Sequence, residues 1–105
     1  GDGTSSRDYT YIDDIINGIV ASIYLKCSFE IFNLGNSNPI KLNELIDLIE
    51  QKLGKSARRV YLPVQKGDVE HTYADITKSK TILGYNPEVS IEEGIEKFID
   101  WYKKQ

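Results

Sequence analysis

Methionine is absent from the 105 residues, and cysteine and histidine occur once each. A single cysteine, Cys27, excludes an internal disulfide and fits a reducing, cytoplasmic setting. One imidazole and one thiol leave no ligand cluster for a transition metal, so no metal site is expected. No apolar run approaches the roughly 18 residues of a membrane-spanning helix, and no signal peptide opens the chain. An excess of positive charge is missing too: 13 basic against 16 acidic side chains leave −3, which argues against a nucleic-acid platform. The opening Gly1-Asp2-Gly3-Thr4-Ser5-Ser6 is polar and reads as the middle of a loop. With no methionine before it, the expectation is a piece cut from a larger protein.

What is present suits one globular domain, 40% hydrophobic and 28% charged. Arg7-Asp8-Tyr9-Thr10-Tyr11-Ile12 is aromatic and β-branched, as a short strand would be. Asp13 and Asp14 then fall where a helix takes its cap and first-turn acid. Ile12, Ile15, Ile16, Ile19, Val20 and Ile23 follow at spacings of three and four, one face of a helix running to about Leu25. Gly18 inside it costs about 1 kcal/mol relative to alanine, which suggests a close backbone neighbour.

Phe29 to Leu34 is a second strand candidate, closed by the turn cluster Gly35-Asn36-Ser37-Asn38-Pro39. Leu42, Leu45, Ile46, Ile49 and Leu53 line one face of a helix stopped at Gly54, with Lys41 a poor cap. Arg59 to Leu62 reads as a strand stopped by Pro63. Val64 to Thr72 is a loop, Asp75 caps a short helix ending at Gly84, and Ser90-Ile91-Glu92-Glu93 is a capping box. The last helix carries Ile91, Ile95, Phe98, Ile99 and Tyr102 on one face. The expected fold is α/β or α+β: about four helices and two or three short strands.

Self-contained catalysis has little to draw on. A serine triad would depend on His71 alone, and no serine sits in a nucleophile-elbow pattern. Neither a P-loop nor a Gly-x-Gly-x-x-Gly dinucleotide turn is present. The acid pairs Asp13-Asp14 and Glu92-Glu93 each open a helix, where capping and the helix dipole account for them. Anion binding is better served. Arg7 stands at a strand entrance, where a planar guanidinium suits bidentate phosphate contact, the plainer reading being a pair with Asp8 or another surface acid. Lys66, beside Gly67-Asp68, is a second candidate. Arg58 and Arg59 read as solubilising charge beside a strand, and His71 and Cys27 as residues without a special role.

Gly1 to Ile15 resembles the start of the C-terminal portion of extended short-chain dehydrogenase/reductases that act on nucleotide sugars. Phe32-Asn33-Leu34-Gly35-Asn36 reinforces it, as do Gln65-Lys66-Gly67-Asp68-Val69 with Thr72-Tyr73-Ala74-Asp75, and then Leu83-Gly84-Tyr85-Asn86-Pro87. The four stretches follow the family's order and span essentially the whole chain. The UDP-glucuronate and UDP-glucose 4-epimerases are the members most similar in pattern.

The resemblance implies a parent enzyme with an N-terminal NAD-binding Rossmann domain, absent here, and a C-terminal substrate-binding domain over residues 1–105. By analogy the parent oxidises the sugar at C4 and returns the hydride to the opposite face, with NAD doing the hard chemistry. Its Tyr-x-x-x-Lys pair lies upstream, since none of the seven tyrosines here has lysine four positions on. No catalytic residue and no bound cofactor are therefore expected in this chain. The resemblance assigns Arg7 to the diphosphate and Tyr9 to the nucleoside. Gln65 stands where some relatives carry a second phosphate-binding arginine, a charge that Lys66 could replace. It gives Asp68 to the ribose, as an ionised acceptor near two hydroxyls. Thr72 falls near the sugar, where a smaller hydroxyl suits a glucuronate-type pocket.

The primary expectation is thus the UDP-sugar-binding part of an NAD-dependent nucleotide-sugar 4-epimerase. A 4,6-dehydratase or decarboxylating relative, or a free-standing interaction module, are the alternatives. With the Rossmann domain gone, the isoleucine-rich helix and a strand edge would be exposed, which predicts an apolar patch or self-association.

Overall fold

The computed structural model describes residues 1–105. Four helices and one two-stranded antiparallel sheet make up an α/β chain. In order they are β1 (Ser6–Arg7), α1 (Ile12–Tyr24), β2 (Ile40–Lys41), α2 (Leu42–Leu53), α3 (Thr77–Leu83) and α4 (Ile91–Lys103). Ser6 pairs with Lys41 and Arg7 with Ile40, while His71 makes a single parallel bridge to Ser6 from the other side. β1 is thereby the middle of three segments, and it draws the 68–72 loop against the start of α2.

The helices follow the apolar spacing. Both α2 and α3 end on a left-handed glycine, Gly54 at φ +68° and Gly84 at φ +67°, a conformation a β-carbon would disfavour. Ser90 accepts a hydrogen bond from the Glu93 backbone N–H, the forward half of the expected capping box. Asp75, expected as the cap of α3, lies one residue before the capping position, which Ile76 holds, yet its Oδ1 still accepts from the Thr77 N–H and hydroxyl at the helix start. α1 departs from expectation. It begins at Ile12, with Tyr11 in the capping position and no side-chain cap. Asp14 is buried and accepts instead from the backbone N–H groups of Glu88 and Val89.

The strands differ more. Of the first candidate, Arg7 to Ile12, only Arg7 lies in a strand, joined there by Ser6, and Phe29–Leu34 and Arg59–Leu62 pair with nothing. Strand residues need a partner for their backbone groups, and α3 side chains serve the first segment instead. Lys78 Nζ donates to the Ile31 carbonyl and Ser79 Oγ to that of Asn33. Arg59 is no idle surface charge: it holds its segment to α2 through Asp47 and Glu50, which push its pKa up.

Burial is sparse. Ile40, Ile76, Tyr85 and Ile99 are the buried apolar residues. The radius of gyration is 16.3 Å, against about 13 Å for a compact chain of this length. α1 turns its Asp14–Gly18 side inward, because Gly18 lets Leu34 and Tyr85 approach within what would be 2.6 and 3.1 Å of a β-carbon. The neighbour is a side chain rather than the backbone expected. Ile12, Ile16, Ile19, Val20 and Ile23 consequently face outward, and only Ile15 of the six is half-buried. α4 likewise buries Ile99 and leaves Phe98 and Tyr102 exposed.

Candidate functional site

The site grows from β1. Ser6 donates its backbone N–H to the Glu70 carbonyl, and its own carbonyl accepts from the Thr72 N–H. The 65–72 loop is so laid along β1, and Arg7 reaches across it. Arg7 Nη1 donates to the carbonyls of Ser6 at 2.7 Å and Glu70 at 3.1 Å. Its Nη2 donates to the Val69 carbonyl at 2.5 Å and to Asp68 Oδ1 at 3.1 Å. Asp68 Oδ1 also accepts from the Val69 N–H, and the Asp68 N–H closes a turn onto the Gln65 carbonyl. Arg7 and Asp68, 61 positions apart in sequence, thus form an ion pair.

Two clefts flank this pair. One, of about 500 Å³, is lined by Arg7 and Asp8, by residues 32–35 and by residues 72–75. The other, of about 440 Å³, lies between the start of α2 and residues 57–63, and includes Gln65 and Asp68. Of the candidates, Arg7 and Thr72 share the first cleft and Gln65 and Asp68 the second. Tyr9 is half-buried and Lys66 exposed, and neither lines either cleft. Arg58 does line the second, a position that its reading as surface charge did not foresee.

Sequence reasoning also passed over Asp8. Its carboxylate does not pair with Arg7. It accepts from the backbone N–H groups of Asn36, Ser37, Asn38 and Ala74 at 2.9 to 3.3 Å. Ser37 Oγ returns a bond to the Ala74 carbonyl. Asp8 therefore ties together both walls of the first cleft. Gly35 sits so close that a β-carbon there would lie 2.6 Å from Asp8 Oδ2. His71 acquires a role as well, its Nδ1 lying 2.8 Å from Ser6 Oγ at the bridge. No local pattern signals these bonds, because each joins residues far apart in the chain.

The arrangement offers charge-assisted recognition of polar ligands, with an acid and a base in contact between two hollows. The strands are two residues long and antiparallel, and no strand-to-helix turn has the glycine pattern that pyrophosphate needs. Among the described residues no group of histidine, cysteine and carboxylate could hold a metal. No helix is long and apolar enough to cross a membrane.

This combination of helices and short strands is the C-terminal architecture of nucleotide-sugar epimerases. The UDP-glucuronic acid 4-epimerase from Bacillus cereus, in complex with UDP-glucuronic acid and NAD, superposes with a TM-score of 0.90 at 40% identity, over 99% of this chain and 34% of that one. The Thermotoga maritima UDP-glucose 4-epimerase with UDP-glucose gives 0.91 at 36% identity, over 99% and 33%. A UDP-glucuronate 4-epimerase of Thermodesulfobacterium geofontis is 49% identical over 105 residues, 99% of this chain and 32% of its own length. The family model described as GDP-mannose 4,6 dehydratase matches residues 1–98, and the chain belongs to that family of extended short-chain dehydrogenase/reductases. It spans about a third of the length of the curated relatives it matches.

Proposed function

We propose that this chain is the sugar-nucleotide-binding part of an NAD-dependent UDP-sugar 4-epimerase, with UDP-glucuronate the favoured substrate. The observation that carries the reading is the Arg7–Asp68 pair at 3.1 Å, which joins the two residues the family pattern assigns to the nucleotide. Asp68 accepts from the ribose hydroxyls, and the positive charge of Arg7 and Lys66 offsets that of the diphosphate. Gln65, Thr72 and Tyr9 complete the surroundings of the nucleotide and sugar.

The hydride chemistry belongs to a dinucleotide-binding domain outside these residues, since the chain has no Tyr-x-x-x-Lys pair. The exposed isoleucine face of α1 supports this division, because it is the kind of surface a neighbouring domain covers. The description of the matching family model favours one alternative, a 4,6-dehydratase, which would use the same nucleotide site.

Titration of the isotopically labelled chain with UDP and with UDP-glucuronate, followed by NMR, tests the proposal. Weak binding with shifts at Arg7, at Gln65 to Asp68 and at Thr72 is expected. Shifts confined to other parts of the chain, or none at all, would overturn it.

A further inference from the structure

The apolar side of α4 is covered for only part of its length. At Gly94 the Tyr11 ring closes on the helix, 3.5 Å from where a β-carbon would stand, and the same ring lies 5.3 Å from Lys97 Nζ. One turn further on that cover ends. Phe98, Trp101 and Tyr102, three and four residues apart and so on one side of the helix, stand 57%, 57% and 60% exposed. The Phe98 and Trp101 rings touch only edge to edge of this open patch, their centroids 5.8 Å apart. Single exposed apolar side chains are ordinary, whereas three adjoining aromatics mark a contact surface.

The charges on α4 indicate what fits there. Glu92 and Glu93 occupy its first turn, and Lys103 and Lys104 its end. Glu93 and Lys104 are eleven residues apart, about three turns, so they fall along one line of the helix. The middle of that line lies beside Phe98. A second α4 laid antiparallel and crossing at Phe98 therefore sets each Glu93 opposite the Lys104 of the other copy. Within one copy Glu93 has a 3.5 Å pair with Lys97, and Lys104 pairs with no acid. The helix dipole accounts for where the acids and lysines stand, but not for the aromatic surface left bare between them. We infer that this end of α4 seats a second copy of the chain, antiparallel, with Phe98 at the crossing and Trp101 buried beside it. Such a contact uses one patch twice and closes on itself.

Trp101 is the only tryptophan, so its emission reports this surface alone. Ile19→Glu serves as the background, which takes the separate stripe on α1 out of the measurement. Sedimentation velocity and tryptophan emission are followed over a concentration series. The series is repeated with Phe98→Glu, with Lys104→Glu, and with Glu93→Lys and Lys104→Glu together. A monomer–dimer equilibrium is expected, with emission moving to shorter wavelength as dimer forms. Phe98→Glu should stay monomeric with its emission fixed. Lys104→Glu should weaken the dimer about five- to tenfold, since two attractive contacts become repulsive. The swapped pair should restore it to within about twofold. Lys104 is exposed and lies past the last helical residue, so Lys104→Glu carries the test should Phe98→Glu not fold.

A chain that stays monomeric at the highest concentration would leave this face to a different protein surface and overturn the inference. A dimer whose tryptophan emission does not move, or one that persists in Phe98→Glu, pairs elsewhere and overturns it too. So does a swapped pair as weak as Lys104→Glu alone, which rules out the antiparallel register. Assemblies that grow past two copies in this background would show that the contact does not close, with the same result.

Discussion

The Tyr85 hydroxyl donates to the Gly35 carbonyl at 2.6 Å, bridging the end of α3 and the turn that walls the first cleft. Tyr85 is buried, and its phenol pKa is raised by that burial and then by the negative charges of Asp14 and Asp8. The folded state therefore keeps this proton at a pH where the unfolded chain releases it. The associated stability is complete below about pH 10, the unfolded value, and is lost as pH rises through the raised folded value. Tyr85→Phe should cost about 1–2 kcal/mol at neutral pH by removing the hydrogen bond. It should also flatten the alkaline fall in stability. Urea unfolding midpoints of both proteins, measured from neutral to alkaline pH, check the two effects together.

Gly18 and Gly94 are both buried helical glycines, and they should respond oppositely to alanine. A β-carbon at Gly18 would lie 2.6 and 2.8 Å from the methyl carbons of Leu34 and 3.1 Å from Tyr85. Leu34 can shift only in part, so overpacking of about 1–3 kcal/mol outweighs the gain in helix propensity of about 1 kcal/mol. At Gly94 the nearest atoms, of Tyr11 and Val89, lie at ordinary contact, 3.5 to 3.6 Å. Gly94→Ala should therefore stabilise by up to about 1 kcal/mol. Thermal unfolding of the two variants settles the sign of each.

The helices were legible because spacings of three and four, a serine cap and left-handed glycine stops are local signals. Strands are pairings rather than runs, and the alternation of Phe29 to Leu34 could not say that α3 side chains would occupy its carbonyls. The exposure of the isoleucine stripe of α1 follows the expectation for a chain without its neighbouring domain, whereas the side that packs instead could not be read locally. The helix turns its widest apolar stripe outward, and the close approach at Gly18 decides which side packs. Of the site, the family resemblance nominated Arg7 and Asp68 together, and composition alone could not have joined residues 61 positions apart. Asp8 and Asp14 escaped because a carboxylate that collects distant backbone N–H groups resembles any helix-end or surface acid in sequence.

Asp14 supplies a direct test of that distinction. A first-turn acid acting on the helix dipole tolerates replacement at a cost of about 0.3–1 kcal/mol. Asp14, 3% exposed, instead satisfies the backbone N–H groups of Glu88 and Val89 at 3.0 and 3.1 Å. Asp14→Ala removes the acceptor of both N–H groups, one on exposed Glu88 and one on half-buried Val89, with an expected loss of about 1–3 kcal/mol in all. Asp14→Asn retains one acceptor oxygen and should fall between. Denaturant unfolding gives the magnitude, and faster amide exchange at Glu88 and Val89 locates it.

The outward face of α1 predicts how the isolated chain behaves in solution. Ile16, Ile19, Val20 and Ile23 stand between 44% and 72% exposed on successive turns, a continuous apolar stripe with no covering element in the chain. Transfer of such surface out of water is favourable by about 25 cal/mol per Å², so molecules meeting through this stripe should associate as concentration rises. Ile19→Glu places a charge in the middle of the stripe. It should shift the chain toward monomer while changing unfolding stability by less than about 0.5 kcal/mol, as is usual for an exposed position. Light scattering over a concentration series reads the first effect and urea unfolding the second. A wild-type mass that stays monomeric at high concentration would show that the stripe does not drive association. Loss of several kcal/mol in Ile19→Glu would show that it packs within the chain after all.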